Sequence, residues 1–351
     1  MKIAVAMSGG VDSSVAAVLL KNEGHEIFGV TMRHFDNAKY EFADDEGINL
    51  AISDARRVCE KLGIKHYVID VSSDFEKIVV NDFISEYEKG ETPNPCTLCN
   101  PTIKWGVFLK KALDLGAEKI ATGHYVKVKT KDGKFMIYRA SDAIRDQSYM
   151  LWRLNQKQLS STIFPIAEFS KDEIRKIARD YNLPVHDKND SQEVCFIKGK
   201  YEDFLKGKIS AKSGDIVLAN GKIIGRHKGL PFYTVGQRKG LNTPWRSPLY
   251  VQKLDVKNNQ LIVTDNPDDL LENRFVIKET NWISGKIPQV SDDLSVQIRY
   301  NSKSVPVKKL TEISGGLEVL LKKSVRAITP GQSAVFYEKD CLLGGGIIKK
   351  I

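Results

Sequence analysis

The chain has 351 residues, more than one hydrophobic core usually serves, so we expect two or three domains. Its 42% hydrophobic and 28% charged residues are typical of a soluble globular protein, and no apolar run reaches the length of a membrane span. The net charge of +9 is uneven, because residues 1–205 carry −2 and residues 206–351 carry +11. A basic C-terminal part is typical of a polyanion-binding surface, although many soluble proteins have a basic face without such a partner.

Four short apolar segments in the N-terminal part predict β-strands: residues 2–7, 26–32, 65–70 and 119–122. The first of them begins so close to Met1 that no room is left for a targeting peptide, which predicts a cytoplasmic protein. Helical patterns at 13–23 and 51–62 lie between the strands, and each ends at a glycine. Strand–helix alternation of this kind predicts an α/β fold, a parallel sheet with helices on both faces.

The pattern changes after the fourth strand. Residues 126–139 predict a β-hairpin around Asp132 and Gly133, and Ser170 and Glu173 predict a capping box that opens a helix through Tyr181. Beyond about residue 206, short alternating segments predict small all-β modules: 215–218, 294–300, 317–321 and 333–337. We therefore expect an N-terminal α/β domain (1–205), a small central β domain (206–273) and a C-terminal β-barrel (274–351).

Residues 8–14, Ser-Gly-Gly-Val-Asp-Ser-Ser, directly follow the first predicted strand and precede the first predicted helix. Two glycines allow a tight turn close to a ligand, and the N–H groups that open a helix favour an anion. Asp12 would be repelled by a bare phosphate, which favours a Mg²⁺ bridge or a positioning role. The segment lacks the Walker and dinucleotide signatures. We predict a phosphate-binding loop, with a plain serine-capped turn as the alternative.

The chain has five cysteines: Cys59, Cys96, Cys99, Cys195 and Cys341. An odd and sparse set favours reduced thiols, and Cys59 and Cys341 suit small buried apolar positions. A helical pattern from about Pro101 places Cys99 near a helix N-terminus, which predicts a lowered thiol pKa and a nucleophilic thiolate. A structural zinc site would need a second close ligand pair, which the sequence lacks. An inert pair of buried thiols at Cys96 and Cys99 remains the alternative.

Segments spread over nearly the whole chain resemble the tRNA-specific 2-thiouridylase family of the pyrophosphate-loop ATPase superfamily. They are residues 8–14, 92–105, 121–125, 145–149, 191–197, 234–240, 299–300 and 329–333. The superfamily resemblance implies cleavage of ATP to AMP and pyrophosphate with adenylation of a carbonyl oxygen. The family resemblance implies thiolation of the wobble uridine of tRNA at C2, with sulfur delivered through a protein persulfide.

The resemblance also implies roles for particular residues. ATP, with Mg²⁺, would be held by Ala6, Met7, Ser8, Gly9, Gly10, Val11, Asp12, Ser13, Met32 and Gly123. Cys99 would be the catalytic nucleophile, and Cys195 would carry persulfide sulfur from a sulfur carrier or a cysteine desulfurase. The tRNA would contact His124, Arg145, Asp146, Gln147, Arg299, Tyr300 and Gln332. Each tRNA contact also suits a plain structural role, such as a loop histidine or a strand pair at a barrel surface.

Cys96 departs from those family members that carry an acidic residue at this position, where it can assist proton transfer. A second thiol in a Cys-x-x-Cys segment can compete for sulfur or resolve a disulfide. With Cys99 and Cys195 it also provides three thiolates for an iron–sulfur cluster with one open iron. An iron–sulfur-dependent sulfurtransferase is therefore an alternative to the two-cysteine mechanism that we favour. Another adenylating synthetase of the superfamily and a non-catalytic RNA-binding protein are further alternatives.

In the favoured mechanism, adenylation converts the C2 oxygen of uridine into a leaving group that departs with AMP. Cys99 and Cys195 end as a disulfide, so their Cα atoms must come within about 4.4–6.8 Å of each other once linked, if necessary by loop motion. The target base must leave its stack, which suits an anticodon-loop nucleotide. The basic C-terminal part would then bind backbone phosphates in a salt-dependent manner.

Overall fold

The computed structural model describes residues 1–34, 45–189, 194–197 and 199–349. Within the predicted motif at 191–197, residues 191–193 lie outside the described residues. The strands, in chain order, are β1 (Lys2–Ala6), β2 (Glu26–Arg33), β3 (His66–Asp70), β4 (Lys119–Ala121), β5 (Val126–Lys131), β6 (Lys134–Arg139), β7 (Thr162–Ile163), β8 (Gly214–Leu218), β9 (Ile223–His227), β10 (Tyr250–Asp255), β11 (Gln260–Thr264), β12 (Leu271–Trp282), β13 (Leu294–Gln297), β14 (Val305–Ile313), β15 (Gly316–Arg326), β16 (Ser333–Glu338) and β17 (Cys341–Lys349).

The helices are α1 (Val11–Asn22), α2 (Asp45–Leu62), α3 (Ser72–Phe75), α4 (Asn81–Glu88), α5 (Pro95–Cys99), α6 (Leu109–Asp114), α7 (Gln156–Ser160), α8 (Lys171–Asp180) and α9 (Tyr201–Leu205). Two π-helical segments join neighbouring helices without a break: Glu76–Val80 joins α3 to α4, and Asn100–Phe108 joins α5 to α6. Short 3₁₀ turns are Ser148–Leu151, Leu230–Phe232 and Pro267–Leu270.

The N-terminal part is built on a parallel sheet with the strand order β3-β2-β1-β4-β7. Its central strand β1 is apolar from Ile3 to Ala6, and Ile3, Ala4 and Val5 are fully buried, because helices cover a parallel sheet on both faces. The predicted α/β fold is confirmed. In such a sheet the carboxyl ends of neighbouring strands meet at one edge, where ligands bind.

Two predicted local structures, a capping box and a hairpin, are present at the expected residues. At the start of α8, the Ser170 hydroxyl accepts the Glu173 N–H at 3.3 Å, and the Glu173 carboxylate accepts the Ser170 N–H at 2.7 Å. This is the predicted capping box. The predicted hairpin is formed by β5 and β6, which turn at Asp132 and Gly133.

The same hairpin has a tertiary role that its own sequence did not indicate. Strand β6 pairs antiparallel with β17 near the end of the chain, with Tyr138 opposite Cys341 and Ile137 opposite Leu342. The N-terminal part therefore contributes two strands to the sheet of the C-terminal barrel.

The C-terminal region is a closed antiparallel barrel in the order β12-β15-β14-β13-β16-β17, with β17 pairing back to β12. This confirms the predicted C-terminal β-barrel. The residues that lie between the α/β part and the barrel along the chain form a four-stranded sheet in the order β10-β11-β8-β9. The predicted strand at 294–300 is shorter than expected and ends at Gln297.

One hydrophobic cluster joins the three sheets. It includes Phe28 of the parallel sheet, Val251 and Val263 of the central sheet, and Val335 and Tyr337 of the barrel. Because these apolar side chains share one core, the three sheets hold one another in place. Among the described residues, no helix combines the length and apolar character that crossing a bilayer would require.

Candidate active site

The loop between β1 and α1 is closed by hydrogen bonds among its own residues. Gly9 has a φ of 71°, and a Cβ at this position would lie 2.4 Å from the Ala51 carbonyl oxygen, so only glycine fits there. The Ser13 hydroxyl accepts the Ser8 N–H at 3.2 Å and donates to the Gly10 carbonyl at 3.1 Å. The N-cap residue Gly10 offers no side chain to the first turn of α1, which leaves that turn suited to an anion.

Asp12, the carboxylate of this loop, is held by a cation and a phenol. Lys171 Nζ lies 2.7 Å from Oδ1 and 2.9 Å from Oδ2, and the Tyr125 hydroxyl donates to Oδ1 at 2.7 Å. The Lys171 side chain is only 9% exposed, so solvent screens this ion pair weakly. The ion pair offsets the repulsion that a phosphate would otherwise meet at Asp12.

A second lysine contacts the loop backbone. Lys188 Nζ donates to the Gly9 carbonyl at 3.0 Å and to Asp54 Oδ2 at 2.6 Å. Burial acts to raise the pKa of Asp54, but hydrogen bonds from Lys188 and Arg57 lower it overall. Lys171 and Lys188 thus bring positive charge to a loop whose own sequence has none.

The other residues predicted to hold the nucleotide lie at the same sheet edge. Ala6 ends β1 and Met7 follows it, while Val11 begins α1 and Met32 lies near the end of β2. Met7 and Val11 are buried, and Ala6 and Met32 are partly buried against the core. The structure therefore brings the predicted nucleotide residues together around the loop.

Cys96 and Cys99 lie in α5, and Asn94 caps this helix. Asn94 Oδ1 accepts the Cys96 N–H at 3.1 Å, and Pro95 is the first helical residue. Cys99 is therefore the last residue of α5 and does not lie in a first turn. Burial raises the pKa of Cys99 to about 11 and also raises that of Cys96. The predicted lowering of the Cys99 pKa is wrong, because burial of the thiol outweighs the opposing charge of Lys104.

A buried acceptor without a partner follows Cys99. Asn100 is 1% exposed, and its Nδ2 donates to the Met150 carbonyl at 2.8 Å. Within the described part of the chain, Asn100 Oδ1 has no hydrogen-bond partner.

Cys195 lies close to the two helix cysteines. Although part of the residue reaches solvent, desolvation of its thiol, followed by the nearby Cys99 and Cys96, raises the Cys195 pKa to about 12. Cys99, by contrast, is only 6% exposed. No group of three His, Cys, Asp or Glu side chains in the described ranges is arranged to hold a metal ion. An iron–sulfur cluster held by Cys96, Cys99 and Cys195 stays an alternative prediction.

Lys104 and His124 lie beside these thiols. Lys104 Nζ is 3.4 Å from His124 Nε2, and His124 Nδ1 is 2.9 Å from the Thr122 hydroxyl. Burial, followed by the charge of Lys104, lowers the pKa of His124 well below its usual value. His124 is therefore a neutral imidazole at neutral pH.

Gly123 contacts the loop at residues 8–14, and His124 contacts the lysine that lies near the cysteines. A Cβ on Gly123 would lie 2.6 Å from the Ser13 backbone nitrogen, so Gly123 packs directly on the loop. The next residue, His124, contacts Lys104. Because Lys104 is close enough to influence the Cys99 thiol, a chain of neighbouring residues leads from the loop through Gly123, His124 and Lys104 to Cys99.

Two of the predicted tRNA contacts hold the 139–148 segment together. The Asp146 carboxylate accepts Arg139 Nη1 at 2.9 Å and the Ser148 hydroxyl at 2.8 Å. The Gln147 side-chain oxygen accepts the Tyr125 N–H at 3.0 Å. The neighbouring Arg145 and Tyr300 are half-buried, and the Tyr300 hydroxyl donates to the Asp146 carbonyl at 3.4 Å. Their contact with tRNA stays a prediction.

Arg299 and Gln332 bind other parts of the protein. Arg299 Nη2 donates to the Val235 and Ala327 carbonyls, both at 3.1 Å, and to the Thr329 hydroxyl. Gln332 Nε2 donates to the Thr92 carbonyl at 2.7 Å. Arg299 therefore ties the barrel to the 234–240 segment, and Gln332 ties it to the segment that precedes α5.

The sequence analysis did not identify Lys104, Lys171 or Lys188. Lys171 is 159 residues from Asp12, and Lys188 is 179 residues from Gly9, so no local pattern joins either lysine to the loop. For Lys104, the available signal was its position just after the Cys-x-x-Cys segment.

Three family models match consecutive parts of the chain. They are described as a tRNA methyl transferase HUP domain (residues 1–199), a tRNA methyl transferase PRC-barrel domain (residues 202–265) and an aminomethyltransferase beta-barrel domain (residues 272–348). The tRNA-specific 2-thiouridylase MnmA of Syntrophomonas wolfei subsp. wolfei is 41% identical over 350 residues, which cover 99% of this chain and 100% of the relative. The chain belongs to the tRNA-specific 2-thiouridylase family. A second family member, tRNA-specific 2-thiouridylase MnmA 2 of Thermoanaerobacter sp. (strain X514), is 44% identical over 361 residues, 99% of this chain and 98% of the relative.

Solved structures resemble this 2-thiouridylase family member more distantly. The U34-tRNA thiolase NcsA from Methanococcus maripaludis with its [4Fe-4S] cluster is 19% identical, with a TM-score of 0.35. The similarity covers 55% of this chain and 60% of that one. A likeness this low supports no argument about function or cluster binding.

Proposed function

We propose that the protein is an ATP-dependent tRNA-uridine 2-sulfurtransferase that thiolates the wobble uridine at C2. The observation that carries this proposal is the continuous path from the phosphate loop to the thiols. Gly123 packs on Ser13, and the adjacent His124 lies 3.4 Å from Lys104 beside the cysteines. An adenylated base formed at the loop would therefore lie next to the sulfur that replaces its oxygen.

In the first step, the C2 oxygen of uridine attacks the α-phosphate of ATP, and pyrophosphate leaves. The helix N-terminus after residues 8–14, with Lys171 and Lys188, would stabilise the phosphates. Mg²⁺ would enter with ATP as part of the substrate. We do not assign Asp12 as its ligand, because both Asp12 oxygens already bind Lys171 and one also accepts from Tyr125.

In the second step, sulfur displaces AMP from C2. A sulfur carrier or a cysteine desulfurase first transfers sulfur to Cys195, whose exposure suits an external donor. In one route, the terminal sulfur of the Cys195 persulfide attacks C2 and AMP leaves. The Cys99 thiolate then attacks Cys195 Sγ and breaks its bond to the transferred sulfur, which stays on the base. In the other route, Cys99 first attacks Cys195 Sγ, and the released hydrosulfide attacks C2. Both routes end in a Cys99–Cys195 disulfide that a thiol reductant must reduce.

The tRNA would approach from the basic part of the chain. Residues 206–351 carry a net charge of +11, which suits contact with backbone phosphates while the α/β part receives the extruded base. We retain domain limits of 1–205, 206–273 and 274–351 as part of this proposal. Binding of tRNA should then weaken steeply with added salt, and a flat salt response would contradict this role of the basic part.

Thiolation is favoured over methylation by the thiols themselves. The family-model descriptions refer to methyl transfer, whereas the names of the relatives refer to thiolation. Three cysteines influence one another beside the proposed nucleotide site, and one of them is exposed. Methyl transfer does not need a protein thiol that carries the transferred atom, whereas sulfur transfer through a protein persulfide does.

The test is mass analysis of tRNA nucleosides after incubation with ATP, a reductant and a persulfide donor. The unaltered protein should produce 2-thiouridine, and Cys99→Ser and Cys195→Ser should each abolish it. Cys341→Ser is the matched control, because this half-buried cysteine lies in β17 and should leave the product unchanged. A methylated nucleoside, or 2-thiouridine made by Cys195→Ser, would refute the proposal.

Pyrophosphate release separates the two steps. We expect tRNA-dependent pyrophosphate release to persist in Cys195→Ser, because adenylation precedes the use of sulfur. Release that does not require tRNA would favour a synthetase for a small substrate, and no release at all would favour a non-catalytic RNA-binding protein.

A further inference from the structure

The helix that carries the cysteines changes its geometry directly after Cys99. Residues Asn100–Phe108 are π-helical, so hydrogen bonds join residues five positions apart. In an α-helix, residues five apart point in different directions, because neighbours on one face are three or four apart. The π geometry instead brings Lys104 over the turn that contains Cys99. Segments of this kind occur frequently at functional sites.

Lys104 influences five titratable groups. Lys104 is half-buried, and its Nζ is 3.4 Å from His124 Nε2. The titratable groups near it come from four parts of the chain: Cys96 and Cys99 of α5, Cys195 of the 194–197 segment, His34 after β2 and His124 after β4.

Neither histidine supplies a competing positive charge. Burial, followed by Lys104, lowers the pKa of His34 to about 4 and lowers that of His124 well below its usual value. At neutral pH, the positive charge beside the thiols therefore comes from Lys104 and not from these imidazoles.

We propose that Lys104 is a positioning residue for sulfur transfer, whose ammonium group stabilises anionic sulfur at Cys99 and Cys195. This inference rests on the proposed function, because only sulfur chemistry requires these thiols as anions. Burial disfavours the thiolate at both cysteines, and Lys104 opposes that effect. An opposite charge within about 4–6 Å typically favours the charged form of a group by 1–3 pKa units.

The experiment measures thiol reactivity without ATP or tRNA. The full-length protein is alkylated with iodoacetamide from about pH 7 to pH 10, and modification of Cys99 and Cys195 is followed by peptide mass spectrometry. Lys104→Gln should slow alkylation of both cysteines by roughly tenfold near pH 8 and shift the pH profile to higher pH. Lys104→Arg keeps the positive charge and should retain most of the reactivity.

The matched control is Lys110→Gln, which removes an exposed lysine from α6 of the same continuous helix and should leave both profiles unchanged. Circular dichroism verifies that each variant is folded. Unchanged profiles in folded Lys104→Gln would overturn the inference, as would a loss in Lys104→Arg as large as that in Lys104→Gln. If Lys104→Gln does not fold, the Arg variant and Lys104→Met give the same comparison.

The outcome does not depend on whether the protein thiolates tRNA. Failure of the proposed function would appear as absence of 2-thiouridine while the Lys104 effect on alkylation remains. Failure of this inference would appear as unaltered alkylation while 2-thiouridine still forms.

Discussion

Gly331 lies where the barrel contacts the segment that leads into the cysteine helix, and Gly331→Ala tests the importance of this contact. Gly331 has a φ of 89°, and a Cβ there would lie 2.7 Å from the Thr92 nitrogen. The Thr92 N–H donates to the Pro330 carbonyl at 2.9 Å, and the Thr92 carbonyl accepts from Gln332 at 2.7 Å. An added methyl group must push Thr92 away, because the atoms that it meets belong to the backbone.

The expected cost follows from these contacts. A side chain at positive φ costs about 1–2 kcal/mol. Displacing Thr92 also weakens two hydrogen bonds, each contributing about 1 kcal/mol. We expect Gly331→Ala to lower the free energy of unfolding by about 3–4 kcal/mol. The control is Gly315→Ala in the turn before β15, where φ is 71° and no atom lies within 4 Å of the added Cβ. The control should cost only the backbone term.

Urea unfolding followed by tryptophan fluorescence measures both free energies. We expect Gly331→Ala to be less stable than Gly315→Ala by about 2 kcal/mol. We also expect 2-thiouridine formation to fall in Gly331→Ala alone, because Thr92 precedes the helix of Cys96 and Cys99. Equal unfolding midpoints for the two variants would refute the contact-based reasoning.

Three further predictions concern single side chains. Arg299→Met leaves carbonyl acceptors without their donor and should lower the free energy of unfolding by about 2–3 kcal/mol; an unchanged urea midpoint would contradict this. Lys171→Met leaves Asp12 facing ATP without its cation, so the Kd for ATP should rise roughly tenfold or more. Titration calorimetry measures this Kd, and an unchanged Kd would contradict the role of the ion pair. Unfolded His124 binds a proton below about pH 6.5 that folded His124 excludes, so the His124 contribution to the free energy of unfolding should be constant above this pH and fall below it by up to about 1.4 kcal/mol per pH unit. His124→Asn should reduce that slope, and an equal slope would show that His124 is not its source.

Two of these variants have matched controls, which are exposed residues of the same helix or of the same barrel. Lys176→Met removes an exposed lysine from α8, the helix of Lys171, and should leave the Kd for ATP unchanged. Arg274→Met removes an exposed barrel arginine whose ion pair with Glu318 contributes about 0–1 kcal/mol. Its urea midpoint should therefore stay close to that of the unaltered protein.

Much of the architecture followed from patterns among neighbouring residues. The alternation of apolar strands and helices predicted the parallel sheet, and Ser170 with Glu173 predicted the start of α8. Asp132 and Gly133 located the β5–β6 turn. These features depend on backbone preferences and hydrogen bonds over a few residues, which the order of amino acids expresses directly.

The electrostatic state of the site depended on the packed structure. Proximity to a helix end suggested a lowered Cys99 pKa, but burial among neighbouring elements raises it to about 11. Asp12 obtains its cation from Lys171, which is 159 residues away, and Thr92 binds Gln332, which is 240 residues away. Strand β6 likewise finds its partner only at β17.

By itself, then, the amino-acid sequence determined the α/β and β-barrel classes, the candidate phosphate loop and the thiols available for chemistry. Only the tertiary structure decided which charges surround Asp12 and Cys99 and how the barrel contacts the cysteine helix. The physical reason is distance along the chain: desolvation and ion pairing depend on every element that packs against a group, and most of those elements are remote in sequence.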